Sequence, residues 1–180
     1  MPPVGAERRA LLDRSALGLA LERRAAQIPQ AVLAAWHRGS PAVEAAADVR
    51  VHDDILRTTE LSTLAVAHYL SDGEAQTEEQ ARALAATGRA PLRDTIALAE
   101  LTKLYLYWRD TTIAVLTEEA DSAGIDADVL REAIAIVRRA SDGSIVRMTK
   151  EFEAERGRLQ RELTVEQARL SHHAFHDALT

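Results

Sequence analysis

The stretch IALAELTKLYLYWRDTTIAVL, residues Ile96 to Leu116, is the most apolar run in the chain, and its reading decides the fold. Ile96, Leu98, Leu101, Leu104, Tyr105, Leu106, Trp108, Ile113, Val115 and Leu116 do not confine themselves to one stripe of a helix. A helix apolar most of the way round is covered by several neighbours. The segment therefore reads as a core helix over about residues 91 to 121, opened by Pro91 in a first turn where a fixed φ helps.

Toward the N-terminus, residues 7 to 38 repeat apolar positions at helical spacing: Leu11, Leu12 and Leu19, then Ile28, Val32, Ala35 and Trp36. Pro29 lacks an amide proton and is expected to kink or divide this segment. Gly39 stops the second piece, and Ser40-Pro41 starts another helix with Ser40 as its cap. That helix runs to about Leu70, with Ile55, Leu61, Leu64, Ala65 and His68 on its apolar face, and Ser71-Asp72-Gly73 ends it. Thr77-Glu78-Glu79-Gln80 is a capping box that opens a short helix closing at Gly88.

Beyond the core helix, Gly124 breaks the chain, Asp126 caps, and Leu130, Ile134 and Val137 begin a last helix. Ser141-Asp142-Gly143 reads as a hinge within it. No strand pattern and no internal repeat occurs. The expected fold is all-α, a bundle of six or seven helices with a long C-terminal helix. Residues 1–144 form its globular part.

From Ile145 the pattern thins to a heptad-like spacing. Ile145, Phe152, Leu159 and Glu166 take one seam position, and Thr149, Arg156, Leu163 and Leu170 the other. Residues 145–171 thus read as a parallel dimer linker resting on Ile145, Phe152, Leu159, Leu163 and Leu170, with a solvated terminal helix as the alternative. Half the seam is polar, so two registers of such a pair lie close in energy.

The last residues, LSHHAFHDALT and above all His176-Asp177-Ala178-Leu179-Thr180, resemble the opening of a GGDEF (diguanylate cyclase) domain. Such domains typically start with a helix ending in D-x-L-T-G-L-x-N-R, of which Asp177, Leu179 and Thr180 are present here. Residues 172–180 would then begin an output domain whose catalytic parts lie further on. A second resemblance comes from Gly88-Arg89-Ala90-Pro91-Leu92 followed by an apolar helix with Tyr105 and Trp108-Arg109-Asp110. It is similar to the RsbRD-type N-terminal domain, a helical, globin-like sensor region, and covers about residues 15 to 150. Together the resemblances imply a regulatory sensor and dimerisation region controlling cyclic di-GMP synthesis, with a stressosome-like interaction scaffold as the alternative.

The composition narrows the partners. The net charge of −6 leaves no basic stripe for nucleic acid. Without cysteine there are no disulfides or thiolate metal sites. No run reaches the roughly 18 apolar residues that span a bilayer, and Met1-Pro2-Pro3 begins no signal peptide, so a cytoplasmic location is expected.

Among chemistry-bearing residues, His68 stands out as a ligand candidate on an apolar helix face, able to hold haem iron or a metal. A haem pocket usually adds aromatic packing, yet Phe152 and Phe175 both lie in the tail, which favours a core or rim histidine satisfied by a carbonyl. Trp36, His68, Tyr105 and Trp108 are candidates to line a pocket for a small ligand, against the simpler reading that the aromatics are core. Glu44, Asp48 and His52 share a helix face at i, i+4 and i+8, as do His172 and His176 at i and i+4; a solvated face and a linker junction explain them. No phosphate loop, nucleophile elbow or zinc-protease motif occurs, so no catalytic residues, no metal and no cofactor are expected. The anticipated partners are a second copy of the chain and an unidentified small ligand or regulatory protein.

Overall fold

The computed structural model describes residues 4–40, 49–73 and 97–177, all of them in helices or the turns between them. The described helices are α1 (Val4–Arg24), α2 (Ile28–Gly39), α3 (Val49–Asp72), α4 (Leu98–Ala123) and α5 (Ala127–Asp177). No strand occurs among the described residues. The chain divides into two compact units, Met1–Ser144 and Ile145–Thr180, and α5 supplies residues to both. Among the described residues no helix is long and apolar enough to cross a membrane.

In the first unit, α1 and α2 each pack against both α3 and α4. The buried stripes follow helical spacing. They are Leu17, Ala20 and Leu21 on α1, Ile28, Val32 and Trp36 on α2, and Leu101, Leu104, Trp108 and Leu116 on α4. The start of α5 adds Val129, Ala133, Ile136 and Val137. Pro29 separates α1 from α2 as expected, but from inside the second helix. Ala25 to Gln27 form a tight turn, with the Gln27 amide donating to the Arg24 carbonyl at 2.9 Å, and Pro29 occupies the first turn of α2. No helical partner is needed there, so the missing proton costs nothing.

The α1–α3 contact is close because of one small residue. A Cβ on Gly18 would stand 2.6 Å from the Ala67 carbonyl oxygen and 2.7 Å from the Ser71 amide. The same contact satisfies the carbonyls that the end of α3 leaves without a helical partner. Arg14 donates from Nη2 to the Tyr69 carbonyl at 3.0 Å and from Nε to Leu70 at 3.2 Å, while Ser15 Oγ donates to the Ser71 carbonyl at 2.8 Å. Gly73, at φ +72°, turns the chain out of the helix and donates its amide to Tyr69. At the other end of α1, Arg24 bonds Glu118 and Glu119 of α4 at 2.7 and 3.1 Å.

Three expectations need correction. Ala97 is extended (φ −60°, ψ 144°), so the core helix starts at Leu98 and Pro91 does not open it. Only one stripe of α4 is fully covered; Tyr105, Leu106, Tyr107, Ile113 and Val115 are half-buried. The inward face of α3 is Val51, Ile55, Thr59, Thr63, Val66, Ala67 and Leu70, which leaves Leu61, Leu64 and Ala65 at its margin and His68 outside. Thr63 holds a core position because its hydroxyl is satisfied internally. Thr63 Oγ1 donates to the Thr59 carbonyl at 2.9 Å and accepts from Trp108 Nε1 at 3.0 Å.

Gly124 (φ +64°) ends α4, and Asp126 Oδ1 accepts the Asp128 amide at 2.8 Å to cap α5. The expected hinge at Ser141-Asp142-Gly143 is continuous helix, with Ser141 buried and directed at the Tyr105 carbonyl. The Thr77 capping box, the short helix after it, and Gly88 to Leu92 lie outside the described residues, as do Glu44 and Asp48.

Candidate functional site

The aromatic residues expected to line one pocket are held in different places. Trp36 is fully buried at the C-terminal end of α2, and its indole Nε1 donates to Glu100 Oε2 at 3.1 Å. Trp108 lies two turns further along α4 and is engaged with Thr63. Tyr105 is half-buried and offers its backbone carbonyl to Ser141. His68 does not sit on a buried face: its side chain is 61% exposed, 3.9 Å from Glu22. The hydrophobic neighbours of His68 in sequence suggested an inward face, but the helix is rotated so that Ala67 and Leu70 point in instead.

What the fold assembles is a polar cluster at the end of the bundle where α2 stops and α4 starts. Glu100, in the first turn of α4 where a negative charge is favoured, is its centre. Besides Trp36, its carboxylate accepts from Lys103 Nζ at 2.7 Å and from the Ser40 hydroxyl, and Lys103 also donates to Ser40 Oγ at 3.1 Å. Ser40, expected to cap the next helix, thus gives its hydroxyl to this network. The bonds from Lys103 first and Ser40 next hold the Glu100 carboxyl below the usual carboxylate range, with burial opposing them. A charged group mostly out of water is tolerated here because it is fully paired.

Beside this network stand two histidines from different helices. His37 on α2 and His52 on α3 bring their Nε2 atoms to 3.1 Å, with ring planes at 83°. Trp36 packs against both, 5.6 Å from the His37 ring and 6.4 Å from the His52 ring. Gly39 keeps space for the Tyr107 hydroxyl, which a Cβ there would overlap. Trp36, Ser40 and His52 stand out in the sequence for other roles, whereas Glu100, Lys103 and His37 do not stand out there. The signal it offered was local: Glu100 and Lys103 are the only charges between Ile96 and Trp108, three residues apart on one helix face. The pairing of His37 with His52 had no sequence signal, because it depends on how two helices meet.

The second unit is plainer. Ile145 and Phe152 are half-buried, Leu159 and Leu163 are 49% and 63% exposed, and Val165 is exposed as well. Leu170, His172 and His176 have side chains outside the described residues. From Arg158 to Arg169 every side chain is exposed. The polar contacts here are local: Arg158 pairs with Glu155 and Glu162, and Arg169 stands 3.9 Å from Glu166. A comparison with models of known protein families, with curated proteins and with solved structures finds no match to this chain.

Proposed function

We propose that residues 1–144 form a globin-like regulatory sensor and that the helix beyond them is a parallel dimer linker controlling a C-terminal diguanylate cyclase. The observation that carries this reading is the exposed run from Arg158 to Arg169, with Leu159 and Leu163 four residues apart on one face. Twelve helical residues with no covered side chain are marginal in water on their own, since helices mostly owe their stability to packing of an apolar face. A second copy of the same helix supplies that packing, with Leu159 and Leu163 at the seam. The resemblance of His176 to Thr180 to the opening of a GGDEF domain names the output. Signalling then consists of a shift in register or rotation between two helices whose polar seam leaves alternatives close in energy.

A second reading, an interaction scaffold, draws on the exposed Leu11, Leu12 and Leu19 of α1 as a surface for another protein. Light scattering on the full chain and on a truncation after Ser141 separates them. The linker reading expects a dimer and a monomer respectively. Two monomers would overturn it, and two dimers would move the interface into the globular unit.

A further inference from the structure

We infer that His37 and His52 form a binding site for a divalent transition-metal ion that joins α2 to α3. The inference stands independently of the cyclase reading. The two Nε2 atoms are 3.1 Å apart, contributed by residues 15 positions apart in sequence. Two imidazole nitrogens bound at about 2.0–2.1 Å to one ion are about 3.3 Å apart at the tetrahedral angle and about 2.9 Å apart at a right angle. The observed separation falls between these values. An ion bound to both lies about 1.3 Å to one side of the N–N line, so each ring turns about its side-chain bonds to aim its Nε2 lone pair at it.

The chemistry of the pair fits the same conclusion. As a hydrogen-bonded pair, one ring donates from Nε2 and the other accepts. On metal binding the donor ring carries its proton on Nδ1 instead, so both rings ligate as neutral imidazoles and no net proton is released. Both histidines are half-buried, so the pair is accessible from solvent. Among the described residues these two rings are the donors that meet. Glu100 is the carboxylate of the cluster, but Lys103 occupies its Oε1, while Trp36 and Ser40 occupy its Oε2. Among the described residues no three His, Asp or Glu side chains converge as a metal group. Such a site favours imidazole-seeking ions in the order Cu²⁺ over Ni²⁺ and Zn²⁺, and does not hold Mg²⁺ or Ca²⁺.

Trp36, in contact with both rings, reports on the site. The full chain is titrated with copper(II) sulfate while tryptophan emission is followed, and zinc chloride is added to the ¹⁵N-labelled chain for imidazole NMR. The expected result is saturable quenching at one equivalent of Cu²⁺, weakened at least tenfold by either His37→Gln or His52→Gln. Glutamine keeps a hydrogen bond to the remaining ring, and circular dichroism verifies folding. Replacing His172 and His176 with Gln leaves the quenching unchanged, and its loss there would move the site away from His37 and His52. In the unmodified chain, Zn²⁺ moves the Nε2 resonances of His37 and His52 together. Quenching that both glutamine variants retain, or Nε2 resonances that stay in place at millimolar Zn²⁺, would overturn the assignment.

Discussion

The two units of this chain hold helices in different ways. In residues 1–144, each described helix buries a stripe of side chains, and ends and charges are matched across helices: Arg14 on the carbonyls of α3, Arg24 on Glu118 and Glu119, Glu100 under Trp36. From Arg158 to Arg169 nothing is buried, and the ion pairs join neighbours on one helix. Exposed pairs of that kind contribute little. The contrast teaches that the first unit is specified by its own interior, whereas the run from Arg158 to Arg169 has no buried contacts of its own to specify it.

The strongest way to break the first half of that contrast is Trp36→Ala. It removes a fully buried indole and one donor to Glu100, and stability in urea is expected to fall by about 3–5 kcal/mol. Retained stability would mean that the α2–α4 junction is not part of the core. Gly18→Ala tests the α1–α3 approach. A methyl group there meets backbone atoms of Ala67 and Ser71, so a loss of about 1–3 kcal/mol is expected from overpacking.

Glu100→Gln removes the charge that Lys103 and Ser40 stabilise, at a cost of about 1 kcal/mol near neutral pH. The sign with pH follows from the lowered folded pKa. The wild-type advantage is fully present above the unfolded carboxylate range, near pH 4.3. It disappears as pH falls through the folded value. Melting curves of both proteins from pH 7 to pH 3 should therefore converge in acid; a constant gap would refute the charged network. The smallest change, and of opposite sign, is Gly157→Ala. No atom lies within 4 Å of the added Cβ, so helix propensity alone acts and the tail gains about 1 kcal/mol of helix stability, seen as slower amide exchange around residue 157. An unchanged exchange rate would show that the tail is already fixed by packing.

Much of this architecture was legible in the residues. Pro29 divided the first helical segment, Gly73 and Gly124 marked helix ends, and Asp126 capped α5, because turns and caps depend on backbone restrictions carried by single residues. The apolar run around Trp108 identified the core helix for the same reason that apolar surface leaves water. Less legible were faces and partners. Thr63 looks polar in the sequence and is core in the fold, since an i−4 carbonyl and the Trp108 indole satisfy its hydroxyl. His68 looked inward and faces outward, because a rotation of a fraction of a turn separates it from Ala67.

The sequence by itself determined that this protein is helical, where most described helices end, and that its last segment carries a sparse, charged, heptad-like pattern. Those properties are local: they follow from propensity, capping and spacing along one strand of covalent chain. Only the tertiary structure decided that Glu100 sits beneath Trp36 and that His37 meets His52 at 3.1 Å. Such contacts join residues on separate helices, and their existence depends on crossing angles and helix rotations set by the packing of the whole core.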